Sequence, residues 1–178
     1  MKKISFDDYS AWSTQRGYSL DQWGPSLEAP LESVAIAVPE EPQALAALLD
    51  DLVGIELKGG AWLFRVRDWT IWNERSQEIG LAHLNLLTDS AAQSQGSESS
   101  HIYLLAASEW REVIALLTIP VLYGWDANLL FESGSVLVDV SHEGRIQVTL
   151  GKGHDRLRMA SLESNWIAKK MADGSPKP

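Results

Sequence analysis

Apolar residues along the chain recur with two periods, three to four residues in some segments and two in others, and the switches between them mark the elements. Ser5 is placed to cap a helix carrying Phe6, Tyr9 and Trp12 about one turn apart, and Gly17 stands where that helix would end. Residues 18–30, with Trp23, Gly24 and two prolines, read as a loop. Residues 32–38 alternate and are rich in β-branched and small side chains, which predicts a strand that Pro39 stops; Pro42 suits the first turn of the next helix. In that helix Leu45, Leu48, Leu49, Leu52 and Val53 form one wide apolar stripe, closed by Gly54. Residues 61–69 predict a strand with Trp62, Phe64 and Val66 on one face and Arg65 and Arg67 on the other.

Asn73 can cap a further helix, in which Ile79, Ala82, His83, Leu86 and Leu87 repeat the stripe spacing. Residues 90–100 are a low-complexity polar loop. A short strand at 101–105 precedes a helix expected to be capped by Ser108, with Glu109 and Glu112 in its first turn, Trp110, Val113, Ile114 and Leu117 inward, and Pro120 kinking or ending it. Residues 127–150 read as three strands joined by short turns at 132–135 and 142–144, hence an antiparallel meander. A last helix from about Ser161 turns Leu162 and Trp166 inward and Lys169 and Lys170 outward. The expected fold class is α+β, a mixed or mostly antiparallel sheet with helices packed on it and a C-terminal three-stranded meander. Residues 1–172 read as one domain and 173–178 as a small, polar, Pro-rich flexible tail.

Composition narrows the function classes. The 178 residues include 15 basic and 24 acidic side chains, a formal charge of -9 and a pI near 4.8, which argues against binding nucleic acid phosphates. The charge is uneven: residues 1–60 carry -6, residues 61–143 carry -7 and residues 144–178 carry +4. With zero cysteines there is no disulfide, thiolate metal site or cysteine nucleophile. The start of the chain places carboxylates where a secretory signal needs an apolar run, and the longest apolar stretch, 113–125, is broken by Thr118, Pro120 and Gly124; a cytoplasmic protein with no membrane span is expected.

No nucleotide-binding glycine loop, His-Glu-x-x-His or Gly-x-Ser-x-Gly occurs. Gly151-Lys152-Gly153 follows a meander strand and reads as a turn. His83, His101, His142 and His154 lack the spacing of metal ligands, so neither metal nor cofactor is expected. Residues 65–74 concentrate arginine, carboxylate and indole. Arg65 and Arg67 can clamp an anion, with His142 and Glu143 completing a ligand site, or they can fasten the strand internally through carboxylates. His142 can meet Glu143 and Asp126, set against the simpler reading of a turn histidine bonding nearby backbone.

Arg67-Asp68-Trp69-x-x-Trp72-x-Glu74 with Gly80, Gly124-Trp125-Asp126-Ala127 and Ser141-His142-Glu143 resembles a family of small uncharacterised bacterial proteins with the patterns Arg-Asp-Trp-x-x-Trp-x-Glu, Gly-Trp-Asp-Ala and Ser-His-Asp. The resemblance spans about residues 61–146, with Glu143 in place of the Asp, and implies a shared fold there without assigning any activity. In kind, a small acidic cysteine-free domain is similar to the immunity proteins of bacterial toxin systems. The expectation is a non-enzymatic protein that binds a basic toxin domain through Asp50, Asp51, Glu56, Glu109, Glu112 and Trp23. The alternative is a ligand-binding or enzymatic domain using Arg65, Arg67, His142 and Glu143.

Overall fold

A computed structural model describes residues 1–22, 24–55, 60–68, 74–88, 101–151 and 160–167. Among these residues nine strands are seen: β1 (Lys2–Lys3), β2 (Tyr18–Asp21), β3 (Gly24–Leu27), β4 (Pro30–Ala37), β5 (Trp62–Asp68), β6 (Ile102–Leu105), β7 (Asp126–Phe131), β8 (Val136–Ser141) and β9 (Arg145–Gly151). Four α-helices join them: α1 (Phe6–Gln15), α2 (Pro42–Gly54), α3 (Glu74–Thr88) and α4 (Trp110–Tyr123), and a π-type turn at Glu163–Ile167 ends the described chain. Seven strands form one sheet in the order β1-β6-β5-β7-β8-β9-β4, and every pairing among the described residues is antiparallel. The fold is the expected α+β one, with β7, β8 and β9 as the meander.

Period-2 alternation sends Phe64, Leu129, Val138, Val148 and Val34 to one face as a continuous cross-strand row. The stripe of α2 and the inward residues of α4, together with Leu84, Leu162 and Trp166, cover this face and form the larger core. The adjacent positions on the opposite face are also apolar over part of the sheet, since Leu104, Leu63, Leu130 and Leu137 are register partners. They are roofed by α1 and by a hairpin of β2 and β3, which contribute Tyr9, Tyr18 and Leu27 to a second core. The sheet therefore has layers on both faces.

Several local expectations hold. Ser5 Oγ accepts from Asp8 N–H at 3.1 Å and caps α1, and Pro42 opens α2. Residues 18–30 are not a loop: Tyr18 pairs with Leu27 and Asp21 with Gly24, and the Tyr18 hydroxyl donates to Val136 O at 2.6 Å and accepts from Phe131 N–H at 2.9 Å. Ser108 is not a helix cap. It lies in a 3-10 turn, Ala107–Glu109, where the Glu109 carboxylate takes the Ala106 N–H at 2.8 Å. Pro120 does not end α4, which runs on to Tyr123 and is closed by left-handed Gly124, whose N–H bonds Pro120 O.

The buried face of α3 also differs from the expected stripe. Ile79, Leu86 and Leu87 are 44%, 74% and 44% exposed, and Ala82 and His83 are exposed, whereas Gly80, Leu84 and Thr88 are buried. Close approach decides this. A Cβ at Gly80 would run into the fully buried Trp125 ring and come 3.0 Å from Tyr123, so α3 meets α4 through its smallest residue. Gly80→Ala gains up to about 1 kcal/mol of helix propensity but forces apart a rigid indole contact that costs ~1–3 kcal/mol. Net destabilisation is expected in urea unfolding. A variant at least as stable as the parent would show that the contact relaxes freely.

Candidate functional site

Beyond the roofed leucines the second face of the sheet turns polar. Arg65, Asn128, Asp139, Gln147 and Ala35 are successive register partners across β5, β7, β8, β9 and β4, one row on from the leucines. The β2–β3 hairpin overhangs this row and leaves a cleft of about 390 Å³, lined by Asp21, Gly24, Pro25 and Ser26 above and by Arg67, Asp139, Ser141, Arg145 and Gln147 below. Gly24 suits the roof because its φ is +126°, a region that penalises side chains, and because a Cβ there would approach Arg67 Nη1 to 2.9 Å.

Arg67 owes its position to a break in the ladder. Pairing of β5 with β7 shifts between Val66 and Asp68, so Arg67 is the inserted residue and is turned toward Asp126. Its Nη2 lies 3.9 Å from Asp126 Oδ2. The other carboxylate oxygen of Asp126 accepts from His142 backbone N–H at 2.9 Å and stands 2.9 Å from His142 Nδ1. Asp126 and His142 thus meet through both side chain and backbone. This geometry favours the Nδ1–H form of the ring and leaves Nε2 for other partners.

The remaining candidates are dispersed. Arg65 lies over the rings of Phe6 and Tyr9, with its guanidinium carbon 5.1 and 5.0 Å from their centroids, so it clasps α1 to the sheet. Glu143 is exposed and ion-paired with Arg145. Of the four residues of the expected ligand site, Arg67 and His142 share Asp126, while Arg65 and Glu143 have separate partners. Asp51 accepts from Trp166 Nε1 at 2.9 Å, and Glu109 binds the terminal amino group of Met1. Asp50 and Glu112 are exposed. Trp23 and Glu56 lie outside the described residues, as do Trp69, Trp72, the 90–100 loop, His154, Lys169, Lys170 and the tail. His83 is hydrogen-bonded to the Tyr123 hydroxyl at 2.7 Å.

The residue that sequence reasoning overlooked is Asp139. Burial pushes its carboxyl up to about 6, against the lowering effect of the Arg67 guanidinium and of an amide N–H donated by Asn128, and with Asp126 adding a like charge. A titratable group so displaced, on the floor of a cleft, is a functional-site candidate. A signal was present: Asp139 is the lone charge in the run Val136-Leu137-Val138-Asp139-Val140. Asn128 beside it is fully buried, and its Oδ1 has no hydrogen-bond partner. Burial likewise raises the Tyr9 hydroxyl, against the nearby Arg65, and lowers His101 to about 4, with Lys3 adding to the effect. Among the described residues, no three His, Asp or Glu side chains come together as a metal site, and no helix is long and apolar enough to cross a membrane. The chain matches no known protein family, no curated protein and no solved structure.

The two displaced groups act oppositely on stability. Asp139 binds its proton more tightly when folded, so its contribution falls as pH rises from about 4 to about 6. His101 binds its proton less tightly when folded, so its contribution rises from about pH 4 to 6.5. Asp139→Asn is therefore expected to gain stability relative to the parent across pH 4–6, on the order of 2 kcal/mol, in urea unfolding as a function of pH. A difference from the parent that stays constant over that range would show that Asp139 ionises normally.

Proposed function

We propose that the chain is a cytoplasmic immunity-type protein, which neutralises a bacterial toxin by binding it directly and catalyses nothing itself. The uneven charge carries this reading: residues 1–143 hold an acidic excess of -6 and -7 in their two parts, against +4 in the remainder. An acidic surface draws a basic partner and speeds the encounter. Asp50 and Glu112 support it as contact residues, since both are exposed and neither makes an ion pair among the described residues. Glu109 and Asp51 are less available because each already holds an internal donor.

The test is co-expression with the protein encoded beside its gene, followed by pull-down. A basic partner is expected whose association slows with salt. Asp50→Lys with Glu112→Lys should slow it about tenfold, read by stopped-flow mixing at low ionic strength. A neighbouring gene that encodes no toxin, with no basic protein retained, removes the reading.

A second reading, a small-ligand or enzymatic domain, is favoured by one observation: the Asp126–His142 pair beside the Arg67 cleft. It predicts a small molecule that raises the melting temperature of the parent and has no effect on His142→Gln. A thermal-shift screen against small organic acids and amines in which nothing separates the two proteins would count against it.

A further inference from the structure

The cleft is poorly matched to an anion. Its two arginines already face carboxylates, Arg67 that of Asp126 at 3.9 Å and Arg145 that of Glu143. Asp139, by contrast, receives one amide N–H from Asn128 and has no cation within ion-pairing distance among the described residues. Asp21, on the hairpin, adds a second carboxylate to the lining and holds the roof by accepting from Gly24 N–H at 3.1 Å. An incoming anion would face both acids and would have to draw Arg67 off Asp126.

The unmet demand is for donors. Asp139 offers acceptor oxygens, and Ser141 and Gln147 line the same space. A planar guanidinium supplies five N–H donors and a charge in one group, and its aliphatic stem suits the apolar lining of Pro25, Ala35 and Val140. The volume of about 390 Å³ is that of a ligand pocket and far exceeds one water molecule.

We infer that the cleft between the β2–β3 hairpin and the sheet receives an arginine side chain of the protein partner, its guanidinium closing on Asp139. This rests on the protein-binding reading and gives that reading a second contact, distinct from Asp50 and Glu112. The hairpin is the element that fits the occupant, since Asp21 and Gly24 to Ser26 form one wall of the cleft.

The test is a nitrogen-15 NMR titration of the whole chain with N-acetyl-arginine methylamide, run beside its uncharged citrulline counterpart, free arginine and inorganic phosphate. The blocked arginine should shift the amides of Gly24, Asp139, Ser141 and Gln147 and bind at least as well as free arginine. Citrulline and Asp139→Asn should each weaken it about tenfold or more, the loss expected for one charged hydrogen bond. A carboxyl carbon-13 titration of the parent adds a readout independent of the variant's folding: the probe should lower the Asp139 midpoint. Equal binding of citrulline, unchanged binding by Asp139→Asn, or phosphate shifting these amides in place of arginine would overturn the assignment. Free arginine binding more tightly than the blocked form would assign the cleft to a metabolite and overturn the partner side chain. A toxin that binds the parent and Asp139→Asn alike ends this inference and leaves the protein-binding reading standing. A chain with no protein partner removes the protein-binding reading and with it this assignment, even where the probe binds.

Discussion

The central strands are covered on both sides, and most of the molecule follows from that. A strand with one wet face alternates apolar and polar residues, but β5, β7 and β8 must supply apolar side chains to the helices on one face and to α1 and the hairpin on the other. Polar residues are admitted only where the second roof stops. There the register sets Arg65, Asn128 and Asp139 side by side, Arg65 against the rings of α1 and Asp139 beneath the hairpin edge, where burial makes its carboxyl hold the proton more tightly. The edge is held by the Tyr18 hydroxyl, whose bonds to Phe131 and Val136 fix the hairpin to the turn that joins β7 and β8. Polarity in the cleft is therefore a product of layer geometry.

Much of the fold was legible because strong periodicity survives tertiary packing. The stripe of α2, the two faces of β5, the meander and the inward Leu162 and Trp166 all stand as their spacing implied. The hairpin was not legible, since two four-residue strands around Gly24-Pro25 carry too few apolar positions to show a period. In α3 the count of large apolar residues pointed to Ile79, Leu86 and Leu87, but the close approach is made at Gly80, against Tyr123 at the end of α4 and Trp125 just beyond it. Hydrophobic periodicity gives no weight to a residue whose value is its lack of a side chain.

The candidate site was half legible for a related reason. Arg67, Asp126 and His142 could be named from residue type, but which arginine joined the pair depended on the ladder break between Val66 and Asp68, which no local pattern encodes. Arg65, two residues earlier, is taken up by the rings of α1. Asp139 and Asp21 come from elements far apart in sequence, and only the hairpin's position over β8 brings them to one cleft.

The pairing of β4 with β9 has a kinetic side. Ser33 lies beside Thr149, 116 residues later, and the hydroxyls of the two are 3.1 Å apart. Contacts of such span must close a long loop before they return any stability, and sheets dominated by them fold slowly. On the ribosome, β4 is made early and must wait, with its apolar Val34 and Ile36 uncovered, until β9 has emerged.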